Sequence, residues 1–376
     1  MKINYVTNVR IPTTRAQGYA IMKMCSEFAN NGCDVELFIP NRVNADKIKE
    51  DPYIFYKVNK NFSINRILST DLLANSGKFG IIFYWIDILS FIFSLKFLTK
   101  IRKRGFLYTR DFVIPLFFSK KNNIILELHD IPKSVFLFKF LIRKVSFFVV
   151  ISNGLKNKLI DFGVDVNKIL VSPSGFDPND LKTDLDKFEA RKFLNLPLDK
   201  KIVMYIGLLD DWKGYQTLLD ASKGLSEGIQ VVIIGGEKQQ IESLKKIYPN
   251  VIFLGFRPYS ELSINQVAAD VLIVPNSGKF NISKFFTSPL KMFNHMASGV
   301  PIIASDLPSI REVANEKNCF FAKPDDSESF RTQIEKVLSD YDFSLKIADQ
   351  AKSDVKKYTW GNRASEILNN IKINEK

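Results

Sequence analysis

Short apolar runs alternate along this chain with longer amphipathic stretches, the rhythm stops once and restarts, and after the restart the runs recur roughly every 20 to 30 residues. Few folds tolerate that pattern. An unbroken run of Val, Ile, Leu and Phe reads as a strand buried on both faces. The stretch behind it reads as the crossover helix that parallel strands require. Strands are expected at residues 3–7, 35–40, 106–109, 124–129, 147–151 and 169–172, with helices over 17–30 and 153–162. Residues 41–75 are polar and irregular and read as an insertion. A segment rich in Pro, Ser, Gly and Asp at 172–186 reads as the linker. A helix over 186–195 and strands at 202–206, 231–234, 251–254, 271–274 and 302–304 then repeat the pattern, and helices over 330–357 and 361–371 close it. At 376 residues the chain exceeds one typical core. The expected fold class is α/β, with two doubly wound domains facing each other across a cleft.

Charge narrows the partners. Through Ala190 there are 28 Lys and Arg against 18 Asp and Glu, so ten of the net +13 charges lie in the first half. The basic residues interleave with apolar runs, as in residues 97–104 and 136–144. That pattern suits an anionic membrane surface better than a nucleic-acid groove, so no nucleic-acid partner is expected. The alternative reading is core helices with a solvated basic face. Residues 79–98 are the longest apolar stretch, broken by Asp87 and Lys96, and are expected as a buried or interfacial helix instead of a span. Cys25, Cys33 and Cys319 lack metal-ligand spacing, which points to a reduced chain in the cytoplasm. Met1-Lys2 leads straight into the first apolar run, so no secretory leader is expected.

The string Thr287-Ser288-Pro289-Leu290-Lys291 opens the most specific segment. Two hydroxyl residues precede a Pro suited to the first turn of a helix, and a Lys sits close behind. A short helix follows, then a stop at Gly299 and a buried strand from Pro301. Free N–H groups at a helix start, hydroxyls and a lysine make a phosphate site. Earlier, Gly207 ends a strand and Lys213-Gly214 opens a helix, a second place for a point charge beside a ligand. Together these strings resemble the donor-phosphate motifs of the family 4 retaining glycosyltransferases (group 1), in the subgroup with a Thr-Ser-Pro-Leu-Lys donor motif.

That resemblance implies the GT-B fold: an acceptor-side Rossmann-like domain over residues 1–178, a nucleotide-sugar domain over 179–357, and a final helix at 358–376 crossing back to the first domain. It implies Lys213, Lys291 and His129 as catalytic groups. His129 is one of two histidines and ends a buried strand, where a histidine can meet a sugar hydroxyl. It implies Gly18, Gly207, Gly236, Arg257, Pro258, Thr287, Ser288, Pro289, Leu290 and Asn294 on the donor, and Arg110 on the acceptor side. The family's Glu-x7-Glu signature places Phe286 and Asn294 at its two acids. The second acid normally accepts from the donor ribose, and Asn294 can still accept through its amide oxygen without charge assistance.

No Asp-x-Asp pair stands at a strand end, and no Walker loop, zinc cluster or nucleophile elbow occurs. No metal and no cofactor are therefore expected. The implied activity is a retaining, metal-independent sugar transfer from a UDP- or GDP-linked donor to a glycan or lipid-linked acceptor in cell-surface polysaccharide synthesis. Its place would be the cytoplasm, peripherally on the inner face of the membrane. The alternative is a catalytically weakened binding or scaffold subunit of a glycan-assembly complex, in which Asn294 marks the weakening.

Overall fold

The computed structural model describes residues 1–43, 48–72, 80–98, 105–119, 123–132 and 134–374. The chain divides into two compact units. The first comprises residues 1–151, 155–172 and 360–376, and the second residues 152–154 and 173–359. The chain therefore leaves the first unit at Ser172, six residues before the expected boundary, and re-enters it at Trp360.

The first unit is a seven-stranded parallel sheet in the order β3-β2-β1-β4-β5-β6-β7. Its strands are β1 (Lys2–Val6), β2 (Asp34–Pro40), β3 (Ser63–Ile67), β4 (Phe106–Thr109), β5 (Ile124–Leu128), β6 (Phe147–Val150) and β7 (Ile169–Val171). Strand β3 lies inside the stretch expected as an irregular insertion. Its Ser, Asn and Arg residues sit at the sheet edge, where one flank is unpaired and polar side chains are tolerated. Tyr5, Phe28 and Tyr108 stack in the core, with ring centroids 4.9 and 5.3 Å apart. The final helix, Trp360–Asn374, packs against the helix Ala16–Asn30, where Trp360 meets Tyr19 edge-on at 6.1 Å.

The second unit is a six-stranded parallel sheet in the order β10-β9-β8-β11-β12-β13. Its strands are β8 (Lys201–Ile206), β9 (Ile229–Ile234), β10 (Ile252–Gly255), β11 (Val271–Val274), β12 (Ile302–Ser305) and β13 (Phe320–Ala322). Strand β13, a short strand at the sheet edge, was not expected. The helical stretch at 330–357 is two helices, Ser327–Ser339 and Tyr341–Asp354, parted at Asp340, whose carboxylate accepts from the Phe343 amide. Both sheets reverse strand order once, between β1 and β4 and between β8 and β11. Ligands bind at the carboxyl ends of strands beside such reversals.

The helix Gly80–Leu98 buries Ile88, Phe91, Ile92 and Leu95 and exposes Ile81, Trp85, Leu89, Phe93 and Phe97. Its buried Asp87 accepts from the Thr70 hydroxyl at 2.7 Å and the Leu72 amide at 3.0 Å. It is long and apolar enough to cross a membrane by length and composition, with 28% of Gly80–Phe97 buried.

One buried ion cluster ties the second unit together. Asp270, just before β11, accepts from the Ile202 amide at 2.7 Å, from Arg191 and from Lys187 at 2.9 Å. Burial alone would raise its carboxyl, but these partners hold it below the usual range. Asp270→Asn keeps the shape and leaves the buried Arg191 guanidinium without its counter-charge. The expected cost is about 3 to 5 kcal/mol in urea unfolding of the purified chain. A change under about 1 kcal/mol would show that Arg191 finds another partner.

Candidate active site

In the second unit the expected donor residues gather at the carboxyl ends of β8, β9 and β10 and at the start of the helix Leu290–Ser298. Gly207 follows β8, Gly236 follows β9, and Arg257 and Pro258 follow β10. Lys213 ends a 3-10 turn, Asp211–Lys213, and ion-pairs with Asp210 at 2.9 Å. Gly214 then starts the next helix in the left-handed region at φ 66°. A Cβ there would stand 1.9 Å from the Pro275 carbonyl oxygen, so only glycine lets this loop lie so close to the end of β11.

A lysine near a helix start is normally solvated. The Lys291 ammonium is instead buried, with no hydrogen-bond partner among the described residues, and lies 4.1 Å from the centroid of the Tyr205 ring. Burial, and then the nearby Lys213 ammonium, push it well below the usual lysine value, while Asp210 pulls the other way. Pro289 caps the helix at its N-cap, so it lies one position outside the first turn, where it had been expected. Leu290 is the first helical residue. Thr287 and Ser288 are buried, and the Ser288 hydroxyl accepts from the Ser174 amide at 2.9 Å. Two cations and a helix N-terminus thus converge with one carboxylate between them, an arrangement suited to a diphosphate.

Asn294 and Arg257 are held by neighbouring side chains. Asn294 donates from its amide nitrogen to the Tyr259 hydroxyl at 3.1 Å, which leaves its buried amide oxygen without a donor among the described residues. The acceptor atom is thus the one kept available. Arg257 turns to Glu261 at 2.6 Å and lies over Phe193, so its side chain faces those residues. His295 is fully buried against Gln266 and is pushed down to about 3 by burial and by Lys291, which keeps its ring neutral.

In the first unit, Gly18 lies at the start of the helix after β1, Arg110 follows β4 and His129 follows β5. The space a side chain would take over Gly18 is filled by the Tyr56 hydroxyl, 2.4 Å from an added Cβ, and by Thr13. His129 is engaged at both ring nitrogens: Nε2 lies 2.6 Å from Glu127 and Nδ1 lies 3.0 Å from Arg110. Burial and Arg110 push the ring down to about 4, so it is neutral at physiological pH. Sequence reasoning passed over Glu127, though an acid in an otherwise apolar strand was a visible signal. It also missed Asp210, Tyr205 and Tyr259, for which the sequence held no signal. Among the described residues no three His, Cys, Asp or Glu side chains form a metal-ligand group.

Residues 186–354, within the second unit, match the family model described as glycosyl transferases group 1. An uncharacterised glycosyltransferase of Methanocaldococcus jannaschii is 27% identical over 238 residues, covering 60% of this chain and 59% of that relative. The match therefore spans less than two thirds of that relative's length. The O-antigen chain mannosyltransferase RfbU of Salmonella typhimurium is 22% identical over 327 residues, covering 81% of this chain and 82% of the relative. The solved structure of HepE from Anabaena, in complex with UDP-glucose, matches with a TM-score of 0.75 at 15% identity, covering 98% of this chain and 99% of that one. The fold is GT-B, built from two parallel-sheet α/β domains.

If the lysine pair holds an anion, binding must depend on pH. A bound diphosphate removes the repulsion and raises the depressed Lys291 value, so between the free and bound values binding takes up a proton. Affinity then falls as pH rises through that interval. Calorimetric titration of pyrophosphate in buffers of different ionisation enthalpy, repeated over a pH series below the ordinary lysine range, should show this uptake, and Lys291→Met should abolish it. Identical heats in every buffer, with affinity constant across the series, would place Lys291 outside the anion site.

Proposed function

We propose that the chain is a retaining, metal-independent glycosyltransferase moving a sugar from a UDP- or GDP-linked donor to a glycan or lipid-linked acceptor in cell-surface polysaccharide synthesis. The observation that carries this reading is the buried, unpartnered Lys291 ammonium beside Lys213 at a helix N-terminus. As the anomeric C–O bond breaks, negative charge collects on the departing diphosphate. Lys291, Lys213 and the first amides of Leu290–Ser298 are fixed where that charge develops, so they stabilise the transition state more than the ground state. The acceptor then attacks on the face the diphosphate leaves, which keeps the anomeric configuration. No protein nucleophile is assigned. The names of the relatives and the UDP-glucose complex of HepE support a nucleotide-sugar donor, and the O-antigen enzyme supports a surface-glycan product.

Melting curves with UDP, GDP, ADP and dTDP test the donor. UDP or GDP should raise the midpoint, since a ligand of the native state stabilises it by mass action. Lys213→Ala and Lys291→Met should each weaken that nucleotide by about 1.5 to 3 kcal/mol, with a larger loss of turnover. Lys291→Met should not lower the midpoint of the free protein, because it removes a buried, unpaired charge. The second reading, a weakened scaffold subunit, rests on Asn294. It predicts nucleotide binding without slow hydrolysis of UDP-sugars or GDP-sugars. Asn294→Glu should tighten the nucleotide if the ribose contact is merely weakened.

We further place the enzyme in the cytoplasm at the inner face of the membrane. Right-handed crossovers put the helix Gly80–Leu98, between β3 and β4, and the helix Val135–Ile142, between β5 and β6, on the same face of the first sheet. Phe136, Phe140 and Val135 of the second helix are exposed, like Trp85, Phe93 and Phe97 of the first. The only acid in either helix is the buried Asp87, while Lys96 and Lys139 are exposed, as is Arg143 just beyond. Apolar side chains rimmed by cations suit an anionic bilayer. Arg102, Lys103 and Arg104, the expected basic cluster, lie outside the described residues. Vesicles with anionic lipid should pellet the chain at low salt and release it at high salt, each basic residue contributing about 1 kcal/mol. Lys96→Gln, Lys139→Gln and Arg143→Gln together should weaken pelleting and leave nucleotide affinity unchanged. Equal pelleting by neutral vesicles, or none, overturns the placement.

A further inference from the structure

Beneath the carboxyl ends of β4 and β5, one buried carboxylate serves four side chains. Glu127 Oε1 lies 2.6 Å from His129 Nε2, 3.2 Å from Arg363 Nη2 and 3.6 Å from Arg110 Nε. Its Oε2 accepts from Arg363 Nη1 at 3.3 Å and from the Tyr108 hydroxyl. Arg363 comes from the final helix and also donates to the Ser172 carbonyl at the end of β7. Burial alone would raise the Glu127 carboxyl, but Arg363, then Arg110, and the His129 hydrogen bond hold it well below the usual range. It is therefore an acceptor only.

This geometry fixes a proton. A guanidinium only donates, so the Arg110 contact leaves Nδ1 of His129 as the lone-pair acceptor. Nε2 then carries the hydrogen and donates to Glu127. In that state neither ring nitrogen is free to take a proton from a substrate. Arg110, in turn, is aimed by two contacts yet shares its carboxylate with Arg363. The other acid close by, Asp111, accepts from the Asn8 amide at 2.8 Å. Glu127 and Arg363 are 4% and 3% exposed at their side chains, whereas Arg110 and His129 are 15% and 32% exposed. The inner pair is structural core, and the outer pair reaches solvent.

We propose that Glu127 and Arg363 are positioning residues: together they lock His129 as its Nε2–H tautomer and aim Arg110 to receive an oxyanion, a phosphate or carboxylate, on the acceptor. Only the word acceptor rests on the transferase reading; the oxyanion site stands on the geometry of the first unit alone. It also gives the returning C-terminal helix a chemical task, because Arg363 is its contribution to the cluster.

The test uses the full chain saturated with UDP, so that the lysine site is filled, and reads the imidazole nitrogens of the two histidines by NMR. In the unaltered protein His129 should show the Nε2–H tautomer, and inorganic phosphate should shift its ring signals while leaving those of His295 in place. Arg363→Met should weaken phosphate about tenfold, with UDP affinity kept within about twofold, and mix the His129 tautomers. Arg363→Lys should recover part of both. An Nδ1–H tautomer in the unaltered protein overturns the proposal without any variant. So does a folded Arg363→Met that keeps full phosphate affinity, or one that loses UDP affinity in equal measure, which would mark a general structural role. Absence of UDP binding would instead count against the donor assignment, and the phosphate response of His129 would still be read.

Discussion

A lysine ammonium held out of water beside a second lysine is the interaction on which the second unit's chemistry turns. Among the described residues Lys291 has no ion pair of its own, and the one carboxylate acting on it is Asp210, which already pairs with Lys213. Such a pair is unfavourable by itself. It persists because the strands that carry its neighbours are buried and cannot relax. Val203 and Tyr205 of β8, Ile233 of β9 and Ile273 of β11 pack in one core cluster beneath the loops. The Tyr205 ring offers the ammonium a partial substitute for water. A diphosphate bound there, as proposed, would relieve a cost already present in the free protein, which is the sense in which the site is preorganised.

The first unit handles charge in the opposite way. At the carboxyl ends of β4 and β5 the cations are compensated from below by Glu127, and the ring between them stays neutral. Both sites follow from the same topology, since parallel strands all end on one edge and their loops meet beside the order reversal. What differs is the depth of the counter-charge. Where it is buried and shared, the outer groups are aimed and held. Where it is scarce, the site waits for an anion.

Much of this was legible in the sequence, for physical reasons that particular residues make plain. Inner strands are buried on both faces and mostly apolar, so β1, β2, β4 to β6, β8, β9, β11 and β12 stand out as apolar runs despite single polar residues such as Asn4 and Glu127. Edge strands do not obey that rule, and β3, with Ser63, Asn65 and Arg66, was read as an irregular insertion. The phosphate string and the Gly207-to-Lys213 loop were visible because each joins a strand end to a helix start, a local relation. The burial of Lys291 was not visible, since a lysine near a helix start is normally solvated. Nor was the Glu127–Arg363 pair, whose members are 236 residues apart. A returning helix leaves no trace in local periodicity of what it touches.

Asn294 joins these threads. It stands three residues after Lys291 on one helix, a separation at which side chains are neighbours. The family pattern that the chain resembles has a glutamate there, and a glutamate would give Lys291 a nearby counter-charge. Asn294 gives none. Its amide nitrogen is bound to Tyr259, and its oxygen can accept one hydrogen bond without contributing charge. The substitution therefore has two effects of opposite sign. In the proposed donor site it would weaken the grip on a ribose hydroxyl, and it would leave the lysine more exposed to its neighbour's repulsion, hence more strongly drawn to a diphosphate. A site built this way places more of its donor recognition on the phosphates and less on the ribose.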